Sequence, residues 1–168
     1  MSGNQLYAEA GVKRKSDSKT MLMRGLMIFA IIVGILLLMI GSYFSIVGVI
    51  LIAGMVFLFP KLNMEYEYVF VDGQIDFDRI TGGNRRKTIL RIDLEQAEII
   101  APEGSHALDS YNNNTQLEKK DFSSGDKNVK AYIIIVNKNE KRYRISFEPS
   151  EKMLTMMKQK YPRKLNQY

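Results

Sequence analysis

The chain divides into a polar start, one long apolar stretch and a polar remainder. The 36 residues 25–60 contain no Asp, Glu, Lys, Arg or His. As one helix they would extend about 54 Å, whereas the hydrocarbon core of a bilayer is about 30 Å thick. Two spans therefore fit better than one. Gly41-Ser42-Tyr43 interrupts the aliphatic residues and Pro60 follows them, which predicts transmembrane helices over about 21–40 and 44–59 joined by a tight turn.

Basic residues flank this stretch on both sides. Five lie before it and one after it, while the turn carries no charge: Lys13, Arg14, Lys15, Lys19, Arg24 and Lys61. Positively charged flanks stay in the cytoplasm. The pattern predicts a multi-pass protein of the cell membrane with both termini cytoplasmic. A cleaved signal peptide is rejected because its apolar core would be less than half as long.

Residues 1–20 are interpreted as a basic cytoplasmic arm that precedes the helical hairpin at 21–60. Four apolar or small residues give this arm a weak apolar face that suits a short interfacial helix: Tyr7, Ala8, Ala10 and Val12. The cluster at 13–15 acts either as a topology signal or as an electrostatic clamp on anionic lipid.

The periodicity changes to two after residue 61. Tyr66, Tyr68 and Phe70 alternate with Glu65 and Glu67, which predicts a strand with one aromatic face. Asp72-Gly73 is a type I′ turn signal. Similar patterns predict further strands near 75–78, 87–92, 98–101, 129–136 and 142–147, with a short strand near 116–122 as an alternative inside the polar loop 103–128. A helix over about 149–161 ends the predicted elements.

The fold class predicted is a membrane α-helical hairpin plus an α+β domain at 61–168. In that domain an antiparallel β-sheet, or partial barrel, is closed at one open end by the C-terminal helix. The order resembles the pleckstrin-homology (PH)-like domains of small bacterial membrane proteins, including the YcxB-like group. Residues 66–75 look like their opening hairpin. The whole chain is similar to an uncharacterised family of two-span membrane proteins through three short motifs, Asp121-Phe122-Ser123-Ser124-Gly125, Phe147-Glu148-Pro149 and Pro162-Arg163-Lys164.

Composition narrows the chemistry. The chain has no cysteine and one histidine, His106, which excludes disulfides, thiolate metal sites and mechanisms that use a pair of histidines. The net charge of +6 is spread along the chain, so no nucleic-acid partner is predicted. Ser105, His106 and Asp109 are triad residue types but lie together in one polar loop, and Asp76 with Asp78 makes a weak metal site. We therefore predict no catalytic residues, no metal and no cofactor.

Seven basic residues are the candidate contacts for anionic lipid headgroups or a protein partner: Lys13, Arg14, Lys15, Arg85, Arg86, Lys87 and Arg91. The resemblance to PH domains implies headgroup binding at the loop between the first two strands. Here that loop is taken to be Asp72-Gly73, which is too tight to hold a headgroup and has Asp76 and Asp78 close behind it. The function predicted is a membrane-anchored interaction module that contacts the bilayer and an unknown protein partner. The alternatives left open are a membrane-surface enzyme using carboxylate chemistry and a structural homo-oligomer in the membrane.

Overall fold

Along the chain, two apolar helices lie between the first strand and the second strand. The computed structural model describes residues 6–112 and 115–166. Its strands and helices are β1 Tyr7–Lys13, α1 Ser18–Ile40, α2 Tyr43–Leu58, β2 Met64–Val71, β3 Gln74–Thr81, β4 Arg85–Asp93, β5 Ala97–Pro102, α3 Asp109–Asn112, β6 Leu117–Asp121, β7 Tyr132–Lys138, β8 Lys141–Phe147 and α4 Glu151–Lys160. Short 3₁₀ turns cover Phe59–Leu62, Leu94–Gln96 and His106–Leu108.

The strand β1 is the main difference from the sequence prediction. The interfacial helix suggested for the N-terminal arm is wrong, because Tyr7–Lys13 pairs antiparallel with β2 from Tyr7↔Val71 to Lys13↔Glu65. The alternation of Ala8, Ala10 and Val12 suits a strand whose inner face meets the aromatic face of β2. The helices therefore lie within the sheet domain's sequence, between its first two strands, rather than ahead of the whole domain.

Eight strands form two four-stranded sheets among the described residues, and these sheets are not closed into a barrel. Their orders are β1-β2-β3-β4 and β5-β7-β8-β6. In the second sheet β7 runs antiparallel to β5 and β8, whereas β6 runs parallel to β8. The predicted α+β class, with a pair of apolar helices, antiparallel strand pairing and a C-terminal helix, is confirmed. Two-residue turns with positive φ join the hairpins at Asp72-Gly73 and Asn139-Glu140, as type I′ geometry requires.

An aromatic cluster occupies the core between the sheets. Phe77 stacks on Phe122 with ring centroids 4.7 Å apart, and Phe147 meets Phe77 edge-on at 5.8 Å. Tyr68 packs edge-on against Phe77 and Phe147 at 5.7 and 5.6 Å. Met153 and Met157 of α4 are fully buried, so the helix contributes its apolar face to the sheet domain.

The long polar loop predicted at 103–128 is ordered into structure of its own. It carries α3 and β6, and the alternative of a short strand near 116–122 is confirmed. Leu108 and Leu117 pack with Ala101, Ile133 and Ile135 in a cluster of buried residues. This segment therefore covers the face of β5 and β7 that would otherwise be apolar and exposed.

The described chain folds as two compact units. One contains residues 6–14, 65–80 and 86–166; the other contains 15–64 and 81–85. In the second unit, α1 spans 23 residues with a mean hydropathy of 2.6, and Tyr43–Leu62 spans 20 residues at 2.3. Both are long and apolar enough to cross a membrane. The helices begin at Ser18 and Tyr43, slightly before the predicted residues 21 and 44. At the start of α1 the side chain of Asp17 accepts a hydrogen bond from Ser18 N at 2.8 Å.

Two glycines allow the helices of this pair to approach each other. Gly34 and Gly48 are the buried residues of α1 and α2. A Cβ on Gly48 would lie 2.6 Å from the carbonyl oxygen of Gly34, and one on Gly34 would lie 2.7 Å from Ile52 Cγ1. The backbones thus meet at a small-residue crossing, as is common between membrane helices.

This crossing predicts a position-dependent effect of adding one methyl group. Gly48→Ala should destabilise the helix pair by about 1–3 kcal/mol, because its methyl would overlap a backbone carbonyl that cannot move away. Gly54→Ala is the matched control, since a Cβ at that position meets nothing within 4 Å and alanine favours helix. Thermal unfolding of the detergent-solubilised protein, followed by circular dichroism, would measure both. Equal stability of the two variants would contradict the crossing.

Candidate functional site

The first sheet carries most of the predicted basic candidates, four of them on β4. Arg91 makes a bidentate ion pair with Asp76, both Nε–Oδ1 and Nη2–Oδ2 being 2.5 Å. The hydrogen bond and charge of Asp76 raise the pKa of Arg91. The carboxylate of Asp76 thus occupies the Nε and Nη2 donors that a bidentate carboxylate or phosphate ligand would use.

Arg86 is also engaged by carboxylates. Its Nε lies 2.9 Å from Asp78 Oδ2 and its Nη2 contacts Glu67. Asp78 is 6% exposed, and among the described residues its second oxygen has no hydrogen-bond partner. The guanidinium therefore lies between two acidic side chains of neighbouring strands, whose combined negative charge exceeds its own, and little positive charge remains for an anion.

The basic residues around the end of β1 are paired as well. Lys13 Nζ lies 3.5 Å from Glu65, a pair whose lysine is 83% exposed. Arg14 Nη1 lies 3.0 Å from Asp121 Oδ2 and its guanidinium sits 5.9 Å from the Tyr66 ring centroid. Burial raises the pKa of Asp121, but hydrogen bonds from Ser123 and the charge of Arg14 outweigh it, so the pKa is lowered. Lys15 is exposed and also makes an interaction.

Arg85 and Lys87 differ from the other candidates. Both lie at the start of β4 with exposed side chains, and neither forms an ion pair within residues 6–112 and 115–166. Of the seven candidates, Arg85 and Lys87 are therefore the two without an ion pair to the described residues. The sequence did not reveal this difference, because the acidic partners of Lys13, Arg14, Arg86 and Arg91 lie on other strands.

A groove that the sequence did not predict runs beside β1. It has a volume of about 470 Å³ and is lined by Glu9, Ala10, Gly11, Val12, Lys13, Glu65, Tyr66, Glu67 and Ile80. Gly11 contributes no side chain at its centre. The signal in the sequence was the alternation of Glu9, Gly11 and Lys13, which becomes readable only once residues 7–13 are known to form a strand.

The serine-rich segment after β6 is a turn held by carboxylates. Asp121 Oδ1 accepts hydrogen bonds from Ser123 N and Oγ at 3.0 and 2.7 Å. Glu148 Oε1 accepts from Ser124 N and Oγ at 2.8 and 2.7 Å. With carboxylates occupying these donors, the segment is built as a structural link between β6 and β8 rather than as a phosphate-binding loop.

Tyr68 ties this segment to the core. Its buried hydroxyl donates a hydrogen bond to the carbonyl oxygen of Phe122. Burial raises the pKa of Tyr68, so the hydroxyl remains a donor throughout the physiological range. The turn and the strand β2 are thereby connected through one buried hydrogen bond.

The third motif and the triad residue types make contacts that support the fold and do not form a catalytic arrangement. Lys164 donates through Nζ to Leu94 O at 3.0 Å, and Ile100 N donates to the backbone carbonyl of Lys164 at 2.8 Å. His106 Nδ1 lies 3.2 Å from Asp109 Oδ2, but both side chains are exposed. Ser105 Oγ instead accepts from Ala107 N. No group of three or more potential metal ligands occurs in the part of the chain that the structure describes.

The family comparison agrees with this architecture. A family model described as Bacterial PH-like domain (DUF6106) matches residues 4–167. The chain belongs to this family. The resemblance to bacterial PH-like domains inferred from the sequence is therefore confirmed across nearly the whole chain. No curated protein and no solved structure matches it. PH-like domains generally serve as interaction modules, and this DUF6106 chain carries such a domain.

The order of strands also corrects one deduction about headgroup binding. Asp72-Gly73 joins β2 to β3, not β1 to β2. In this DUF6106 domain, the segment between the first two strands is residues 14–63, which contain α1 and α2. The PH-domain loop expected to hold a headgroup is thus replaced by the helical pair.

The hydroxyl of Tyr68 offers a direct test of the core arrangement. Tyr68→Phe should lower the free energy of unfolding by about 1–3 kcal/mol, because the buried carbonyl of Phe122 loses its donor while the ring contacts remain. Tyr7→Phe, at a ring that is 45% exposed, is the control and should be near neutral. Urea unfolding of both variants measures the difference. An unchanged midpoint for Tyr68→Phe would show that the hydrogen bond is not formed.

Proposed function

We propose that this protein is a two-span integral membrane protein that holds its PH-like domain at the cytoplasmic face of the cell membrane as an interaction module. The apolar surface of the helices is the observation that carries this proposal. In the helical pair, Gly34 and Gly48 are the buried residues, and Met39, Ile40, Ile50 and Phe57 are among those more than 60% exposed. Leaving this surface in water costs about 25 cal/mol per Å², whereas lipid accommodates it.

The pairing of β1 with β2 supports an even number of crossings. Glu9 and Val69 are directly opposite in one ladder, so the chain before α1 and the chain after α2 must share a compartment. A single crossing would place β1 and β2 on opposite sides of the membrane, and a signal-type cleavage after the helices would detach β1 from the chain that carries β2. The basic flanks Lys19, Arg24 and Lys61 favour the cytoplasm for that compartment.

Lipid or partner contact is proposed for Arg85 and Lys87. Their exposed charges, which form no ion pair with the described residues, suit an anionic headgroup or an acidic protein surface. Arg86 and Arg91, in contrast, are already bound by carboxylates. Each basic residue near an anionic leaflet contributes about 1 kcal/mol. The interaction is therefore weak by itself, and the covalent anchor strengthens it by raising the effective concentration of the domain at the membrane.

The topology is testable because the chain has no cysteine. Single cysteines at Glu9, Ser42 and Asn128 would report the arm, the helix turn and the sheet domain. An impermeant maleimide should label Ser42→Cys in intact cells, and should label the other two only after permeabilisation. Labelling of Ser42→Cys and Asn128→Cys from the same side would exclude the hairpin. Labelling of Glu9→Cys and Asn128→Cys from opposite sides would exclude the strand pairing across it.

The contact assigned to β4 has its own test. In nanodiscs containing anionic lipid, amide exchange of residues 85–88 should be slower than in neutral nanodiscs, and Arg85→Ala/Lys87→Ala should abolish the difference. The control Lys127→Ala/Lys130→Ala removes the same charge elsewhere on the domain and should preserve it. The same exchange rates in both lipid compositions would contradict lipid contact at this position.

A further inference from the structure

The strand β1 has a self-complementary outer face. It lies at the edge of its sheet and, among the described residues, pairs with one strand, β2. Glu9, Gly11 and Lys13 are exposed on its outer face. Edge strands present unpaired backbone groups to a second strand, and this edge is neither proline-containing nor bulged in its register with β2.

The spacing of charges selects one kind of partner. If a second β1 pairs antiparallel about Gly11, position 9 of one copy faces position 13 of the other. Glu9 then lies opposite Lys13 twice in each dimer, and the two Gly11 residues face one another. Directly opposite charges on one face stabilise an antiparallel pair. A register shifted by one residue loses this match because it moves the side chains to opposite faces.

The surroundings of the strand are compatible with this pairing. The groove beside β1 is lined by residues 9–13 together with residues of β2 and β3, so open space lies over the sheet next to the five residues that the symmetric register uses. The ion pair of Lys13 with Glu65 is 3.5 Å long and its lysine is 83% exposed, so Lys13 can exchange partners at small cost. The helix α4 also packs against β1. Its Lys160 reaches the carbonyl of Asp72, and Asp72 in turn bonds to Leu6, at the opposite end of the strand from Lys13.

We propose that β1 is the interface through which two copies of this chain associate, by antiparallel pairing centred on Gly11. This interface is independent of the proposed lipid contact at β4. It differs from an association through the membrane helices, because its specificity comes from Glu9 and Lys13 in the sheet domain.

Cysteine cross-linking of the full chain in membranes tests the register. Gly11→Cys should form a disulfide dimer on mild oxidation, because facing residues of an antiparallel pair have Cα atoms about 4.5–5.5 Å apart, within disulfide reach. A Cβ at Gly11 meets only Tyr66 O at 3.6 Å, so the fold tolerates the change. Glu9→Cys alone should not cross-link, since its two copies would be about 14 Å apart. Co-expressed with Lys13→Cys, it should cross-link as a mixed dimer.

Charge reversal supplies an independent measurement in the Gly11→Cys background. Either Glu9→Lys or Lys13→Glu alone places like charges opposite each other twice and should reduce the dimer about ten-fold. Co-expression of the two variants restores opposite charges at both pairs and should recover it as a mixed dimer. Absence of a Gly11→Cys dimer would overturn the proposal. So would a Glu9→Cys dimer of equal yield, or charge variants that cross-link as well as the parent.

Discussion

The antiparallel pairing of β1 with β2 is the constraint on which the rest of the structure depends. Seven residue pairs, from Tyr7↔Val71 to Lys13↔Glu65, close a segment of about fifty residues that contains both apolar helices. A ladder can form only between strands in the same compartment. Under the proposed membrane topology, the helices therefore leave and return on one side. The sheet domain is complete only when its N-terminal strand is present.

Two of the short motifs shared with the family, residues 121–125 and 147–149, lie at the core of the sheet domain. Phe122 stacks on Phe77, and Phe147 meets Phe77 and Tyr68 edge-on. Ser124 donates a hydrogen bond to Glu148 beside them. These groups come from segments more than twenty residues apart. Their shared location explains why two of the three motifs occur together, since residues 121–125 and 147–149 each supply part of one cluster whose polar members satisfy each other. The third motif is held elsewhere, where Lys164 donates to Leu94 O. They support the architecture and assign no chemistry.

Ion pairing distinguishes basic residues that look equivalent in the sequence. Arg86 and Arg91 lie opposite Asp78 and Asp76 of the neighbouring strand, which consumes their hydrogen-bonding capacity. Arg85 and Lys87 lie on either side of Arg86 in the same strand, but their side chains stay exposed. A cluster of positive charge in a sequence thus becomes a largely neutral sheet face, and only part of it is available to a ligand.

The apolar stretch, its turn, the I′ hairpin at Asp72-Gly73 and most strands followed from the sequence by itself, because length, hydropathy and alternation are local properties. The role of residues 7–13 did not, since a segment in which Ala, Gly, Glu and Lys outnumber Tyr7 and Val12 has a weak local preference for a strand and becomes one only against β2. The pairing of Arg91 with Asp76, the groove at Gly11 and the bond from Tyr68 to Phe122 were likewise decided by tertiary structure. They join residues distant in the chain, and no local pattern records which side chains the sheet will bring together.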